Sequence, residues 1–176
     1  LVALNAVNGI EEWKINLENS NIGSASASLG DFSSDPAVYG SSIFGVGAFG
    51  ETFSATKSGK VLWRNNIQSS SRLVVSGNSA FYSSNNSLIG RINSKNGKIV
   101  FLKEFTGKRW AKYHGPILLQ NKLLVLATDK NAYWFSPEDG RLLNKEKLGK
   151  KISSPPVVVN KRLMFVSEDG MLNILN

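Results

Sequence analysis

Phe53-Ser54-Ala55-Thr56-Lys57-Ser58-Gly59-Lys60-Val61-Leu62-Trp63 reads as a strand, a polar turn closed by glycine, and a second strand that ends on a large aromatic. A glycine at the end of such a turn supplies the positive φ that a tight reversal needs. The aromatic four positions later returns the chain to a core. Three further stretches repeat the design: Leu1 to Trp13 around Gly9, Ile89 to Phe101 around Gly97, and Tyr133 to Asn144 around Gly140. The four glycines are separated by 50, 38 and 43 residues. Trp13, Trp63 and Phe101 hold the position four after the glycine, and Asn144 departs from the rule.

Between these turns a second unit recurs, a strand, a short polar turn and another strand. It reads Pro36 to Gly40 then Ser42 to Val46, Leu73 to Asn78 then Ala80 to Tyr82, Pro116 to Asn121 then Leu123 to Leu126, and Pro156 to Asn160 then Leu163 to Val166. Each repeat is four short strands in about 43 residues, the period of a β-propeller blade. The fold class is therefore all-β, a β-propeller of four-stranded antiparallel blades with about four blades' worth of sequence. The expected division is a partial blade at 1–17, repeats at about 18–66, 67–105 and 106–148, and a partial blade at 149–176. Residues 1–17 supply the last strands of a blade and Ser154 to Asn176 the first three, with Ile174-Leu175-Asn176 equivalent to Ala3-Leu4-Asn5. Either the ends meet and close a ring, or each awaits further blades. Four blades is the lower limit for closure, which favours half of a larger ring whose sequence continues upstream of Leu1.

Of the 176 residues 41% are hydrophobic and 19% charged, ordinary for a globular chain, and short strands suit its richness in Gly, Ser, Asn, Val and Leu. No apolar run reaches the length of a membrane-spanning helix. Cysteine is absent, which excludes disulfides and thiolate metal sites. The formal charge of +8 would suit an anionic partner, yet most cations are scattered through turns, the pattern of a solvated surface. One cluster concentrates them, Lys108-Arg109-Trp110-Ala111-Lys112-Tyr113-His114, where cations alternate with aromatics as on a single-strand stacking platform. A lone loop of this kind reads as a surface feature, and no nucleic-acid partner is expected.

Two other features invite chemistry. Gly45-Val46-Gly47-Ala48-Phe49-Gly50 has the spacing of a dinucleotide-binding turn, but Glu51 to Thr56 reads as a strand where that motif needs a helix. His114 is the single histidine, expected in a loop before Pro116, so a metal site built on two histidines is excluded. Glu11-Glu12, Glu138-Asp139 and Glu168-Asp169 flank turn glycines, where acidic side chains cap turns. No catalytic residue, cofactor or metal is expected.

Ala3 to Trp13, ALNAVNGIEEW, and its second copy Ser54 to Trp63, SATKSGKVLW, resemble the A-x-D-x-x-T-G-x-x-x-W repeat of the PQQ-like (quinoprotein-like) propellers. The Asp and Thr of that pattern are replaced here. Over Trp13 to Asn176 the chain is most similar to the C-terminal half of the BamB family of outer-membrane assembly factors. The resemblance implies an eight-bladed, non-catalytic scaffold that acts with the barrel-inserting BamA-like subunit through its periplasmic domains, with unfolded outer-membrane proteins as further clients. It also implies a periplasmic location at the inner leaflet of the outer membrane, with a lipid anchor carried outside this sequence. A partner-binding loop of the family, patterned Leu-x-Asp-x-Asp before a blade-opening strand, matches Leu29, Asp31, Phe32 and Ser33, with Ser33 at the second acidic position. The alternative that the superfamily implies is a PQQ-dependent dehydrogenase-like or sugar-linked propeller enzyme. Such dehydrogenases use a stacking Trp, a calcium site and commonly a vicinal disulfide, and this chain has no Cys.

Overall fold

Seventeen strands and no helix make up the described residues of the computed structural model, which are 1–16, 34–47, 51–67, 69, 71–84, 86–105, 108, 111–160 and 162–175. The first sheet holds two strands, β1 (Val2–Leu4) and β2 (Glu11–Lys14). Three four-stranded sheets follow in chain order. They are β3 (Ala37–Tyr39), β4 (Ser42–Val46), β5 (Thr52–Thr56) and β6 (Val61–Asn65); β7 (Val74–Ser76), β8 (Ser79–Ser84), β9 (Leu88–Asn93) and β10 (Ile99–Glu104); and β11 (Tyr113–Leu119), β12 (Lys122–Ala127), β13 (Asn131–Phe135) and β14 (Leu142–Lys147). The last sheet has three strands, β15 (Val157–Val159), β16 (Arg162–Val166) and β17 (Leu172–Leu175). Each sheet is an up-and-down meander in which sequence neighbours pair, the strand order of a propeller blade.

The chain falls into two compact units, Leu1–Ala80 with Ile92–Ile99, and Phe81–Arg91 with Val100–Asn176, and the division runs through the third sheet. In the first unit Ile15, Phe53 and Ala55 form a buried cluster flanked by Leu1, Trp13 and Val61. In the second unit β12 is buried on both sides, which explains its unbroken Leu123-Leu124-Val125-Leu126-Ala127 run. Leu123, Val125 and Ala127 join Phe105, Tyr113, Tyr133 and Phe135 on one side. Leu124 and Leu126 join Ile152, Leu163 and Phe165 on the other. Phe105 is the hub of the first cluster, with ring centroids of Tyr113, Tyr133 and Phe135 at 5.2, 5.2 and 5.0 Å, a spacing at which aromatic pairs attract beyond their buried area.

The repeated turns have a common construction. Gly9, Gly97 and Gly140 close five-residue turns in which their N–H donates to the carbonyl of Asn5, Asn93 and Ser136, at 2.8, 2.9 and 2.9 Å. The side chain of that first residue accepts from the backbone two positions on, as Asn5 does from Val7 and Asn93 from Lys95. The residue before glycine accepts from the residue after it, in the pairs Asn8 with Ile10, Asn96 with Lys98, and Asp139 with Arg141. Asn, Ser and Asp thus hold the turn by side-chain-to-backbone bonds where the family pattern has Asp and Thr. Gly59 and Gly170 close shorter turns, their N–H donating to Thr56 and Ser167 at 3.0 and 2.9 Å.

The Gly45 to Gly50 stretch follows strand chemistry over its described part. Gly45 and Val46 pair with Phe53 and Thr52, and Gly47 N–H donates to Glu51 at 2.7 Å, so a strand follows where a dinucleotide turn needs a helix.

Candidate functional site

The segment expected to bind a partner, Leu29, Asp31, Phe32 and Ser33, lies outside the described residues, and its described ends are tied down. On the N-terminal side Ile15 is buried beside Phe53 and Ala55, and its carbonyl accepts from the Leu1 ammonium at 2.8 Å. The Asn16 carbonyl accepts from both terminal nitrogens of Arg64, and Arg64 is paired with Glu51 at 2.5 Å. On the C-terminal side Ala37 is buried and opens β3.

Between the described strands β2 and β3 lie residues 15–36, of which 17–33 are outside the described residues. The sequence motif alone points to this segment.

Trp13 and Trp63, with Phe101, have structural employment. A Cβ built on Gly59 would fall 2.7 Å from the Trp13 indole, one on Gly97 2.7 Å from Trp63, and one on Gly140 2.5 Å from Phe101. The indole N–H of Trp13 donates to the Lys57 carbonyl and that of Trp63 to the Ser94 carbonyl, both at 2.9 Å and both to the second residue of the covered turn. Trp63 is buried, Phe101 partly so. These rings clasp one sheet to the glycine turn of the next, which gives Trp13 and Trp63 a packing role. Gly170 has no atom within 4 Å of its Cβ position, as the substitution of Asn144 for an aromatic requires.

His114 is in strand β11, not in a loop. It pairs with Leu126, and the ladder is interrupted only between His114 and Ile117, where the cis Gly115–Pro116 bond lies. Burial, and secondarily the charge of Lys112, lower its pKa below the ordinary value. Of the basic aromatic cluster, Lys108, Ala111, Lys112, Tyr113 and His114 are described, and Tyr113 is committed to the core. Its hydroxyl donates to the Lys108 carbonyl at 2.9 Å and shares a hydrogen bond with Ser87 at 3.1 Å. Tyr133 donates to Asp129 at 2.8 Å, and its pKa is raised, first by burial and then by that carboxylate. Burial likewise pushes Tyr82 up to about 12. Among the described residues no three His, Asp or Glu side chains gather as metal ligands would.

A family model described as outer membrane protein assembly factor BamB matches residues 1–103. The outer membrane protein assembly factor BamB of Escherichia coli K12 is 22% identical over 144 residues, which are 81% of this chain and 36% of that protein. The crystal structure of BamB from Moraxella catarrhalis superposes with a TM-score of 0.85 at 16% identity, covering 98% of this chain and 51% of that one. The WD40 β-propeller domain of Doa1 gives a TM-score of 0.64 at 17% identity over 81% of this chain and 50% of that one. The fold is thus that of a β-propeller, and the chain spans about a third of the curated relative and half of the solved one.

Proposed function

Because the chain belongs to the family of the outer membrane protein assembly factor BamB, we propose that it is a non-catalytic interaction scaffold for the assembly of outer-membrane β-barrel proteins. Its partner in this reading is the barrel-inserting BamA-like subunit, engaged through periplasmic domains, with unfolded outer-membrane proteins as further clients. The scaffold works in the periplasm, held at the inner leaflet of the outer membrane by a lipid anchor outside this sequence.

The observation that carries the reading is the family match over residues 1–103, within which Leu29 to Ser33 carry the resemblance to the family's partner-binding pattern. Propeller strands are consumed by pairing, whereas inter-blade segments are free to meet a partner. Leu29 and Phe32 supply apolar anchors, Asp31 a charged acceptor and Ser33 a neutral one. Engagement of Trp13 and Trp63 with glycine turns favours the scaffold over a quinone-linked enzyme.

A pull-down of the BamA-like periplasmic domains by the wild-type chain and by Leu29→Ala/Asp31→Ala/Phe32→Ala tests the reading. A central anchor contributes about 2 kcal/mol or more, so the triple change should weaken capture by well over about tenfold. Undiminished capture by a folded variant would move the interface elsewhere, with the Lys108 to His114 cluster as the next candidate.

A further inference from the structure

The sequence holds two Asn-Gly pairs, Asn8-Gly9 and Asn96-Gly97, and each closes one of the repeated turns. Glycine has no Cβ to shield its nitrogen, so at such a pair the main-chain nitrogen meets little hindrance on its way to the carbonyl carbon of the preceding side-chain amide. The two turns match in their own bonds. Gly9 and Gly97 lie at φ +72° and +71°. Their N–H groups donate to Asn5 and Asn93, and the side-chain oxygens of Asn8 and Asn96 accept from the N–H of Ile10 and Lys98, both at 3.0 Å.

Gly97 carries further restraints. The Trp63 ring lies against it, the Asn65 side-chain amide donates to its carbonyl at 2.6 Å, and the Trp63 indole N–H holds the Ser94 carbonyl of the same turn at 2.9 Å. Gly97 is buried while Asn96 is exposed. The Lys98 N–H polarises the Asn96 amide carbon and is placed to stabilise the negative charge that Oδ1 gains on attack. The electrophile is thus primed and open to water. The nucleophile is withheld, because reaching Asn96 Cγ requires Gly97 N–H to leave Asn93 and the whole residue to swing out from under Trp63 and away from Asn65.

We infer that Asn96-Gly97 is a latent site of self-modification that Trp63 and Asn65 keep shut, and that it reacts when this clasp opens. The bond from Gly97 N to Asn96 Cγ forms as the bond from Cγ to Nδ2 breaks, and Nδ2 leaves as ammonia with the proton that Gly97 gives up. The product is a cyclic imide, which water from the solvent opens at either carbonyl. Opening at Cγ leaves aspartate at position 96. Opening at the main-chain carbonyl leaves isoaspartate, whose backbone runs through the former side chain and is longer by a methylene. That longer link no longer fits the turn that Asn93 and Trp63 hold, so a conversion records an opening of the clasp that closing does not erase.

Incubation of the 176-residue chain at mildly alkaline pH, followed by peptide mass mapping and an isoaspartate-specific methylation assay, tests the inference. Within this chain Asn8-Gly9 supplies the same turn with nothing within 4 Å of its glycine Cβ position. In the folded chain Asn8 should convert at least about tenfold faster than Asn96, because the rate at a closed site follows the population of its open form, and the difference should disappear in urea. Trp63→Phe keeps a ring, as Phe101 does over Gly140, but lacks the indole N–H, and should speed conversion at Asn96. Asn65→Ala should do the same without touching the ring. Both variants should keep the strand signal in circular dichroism and leave the Asn8 rate unchanged. Equal rates at Asn8 and Asn96 in the folded wild type, an Asn96 as slow in urea as in the folded chain, or an Asn96 rate that neither variant raises would each overturn the inference.

Discussion

The indole of Trp63 covers the backbone of Gly97 so closely that a Cβ on that glycine would meet ring carbons at 2.7 and 2.8 Å, while the indole N–H donates to the Ser94 carbonyl of the same turn. Gly97 also sits at φ +71°. Two independent demands thus fall on one residue, a left-handed backbone and an absent side chain. Gly9 shares the first demand, at φ +72°, but has nothing within 4 Å of its Cβ position. Gly9→Ala should therefore cost about 1–2 kcal/mol, the left-handed penalty alone. Gly97→Ala should cost that and a further ~1–3 kcal/mol for displacing Trp63. Urea denaturation of the two variants separates the terms, and equal losses would show that the clasp adds nothing.

Trp134 faces Asn144 across the strand pair β13–β14, where Ser54 faces Trp63 and Ala3 faces Trp13 in the equivalent pairs. Large and small have changed places. The exchange leaves the Trp134 indole nitrogen buried without a hydrogen-bond partner and Gly170 uncovered. Trp134→Ser alone should lose about 3 kcal/mol by opening a cavity beside Leu124 and Leu126. Asn144→Trp alone meets the ring of Trp134. The double change should be at least about 1 kcal/mol more stable than the two single effects predict, because the new indole can cover Gly170 and donate to the turn. A double-mutant cycle measured by thermal denaturation checks this, and strict additivity would contradict it.

Asp169 sits at about 2, below the ordinary 3.8, because the Lys150 ammonium and then the Ser167 hydroxyl hydrogen-bond to its carboxylate. A carboxylate whose pKa falls on folding adds stability that is complete above its unfolded value and is lost as the pH drops through the folded one. The melting temperature should therefore decline between pH 3.8 and about 2, and Asp169→Asn should shallow that decline while lowering the melting temperature at neutral pH. The group is exposed, so the effect should be small and should shrink with added salt. Melting curves of both proteins over that window read the outcome.

Much of the blade architecture was legible because the turn glycines and the large residues four positions later mark each hairpin independently of tertiary context. His114 was misread for a local reason: Gly115-Pro116 breaks the pattern of a strand, yet β11 absorbs the pair as an irregularity and resumes at Ile117. The roles of Asn5 and Asn8 were hidden because side-chain-to-backbone bonds, rather than the familiar Asp and Thr, hold the Gly9 turn. The exchange between Trp134 and Asn144 depends on cross-strand register, which periodicity does not supply. For the candidate site the residue types were visible in Leu29 to Ser33, which lie outside the described residues, so only its flanks, Ile15 and Ala37, were added by the structure.

The interval between β2 and β3 yields the most direct test of where function resides. Replacing residues 15–36 by a connection that keeps Ile15, Asn16 and the Ser34 to Pro36 entry, but matches the nine residues of 148–156, should leave the blades intact. For a closure without structure of its own, going from 22 to nine residues changes the entropic cost by only about 0.8 kcal/mol, in the stabilising direction. Ile15 would still pack on Phe53, and Arg64 would still reach the Asn16 carbonyl. The melting temperature should stay level or rise slightly, whereas capture of the BamA-like periplasmic domains should fall to background. A large loss of stability would mean that the connection is a structural element. Unchanged capture in a stable variant would mean that its length serves something other than the partner.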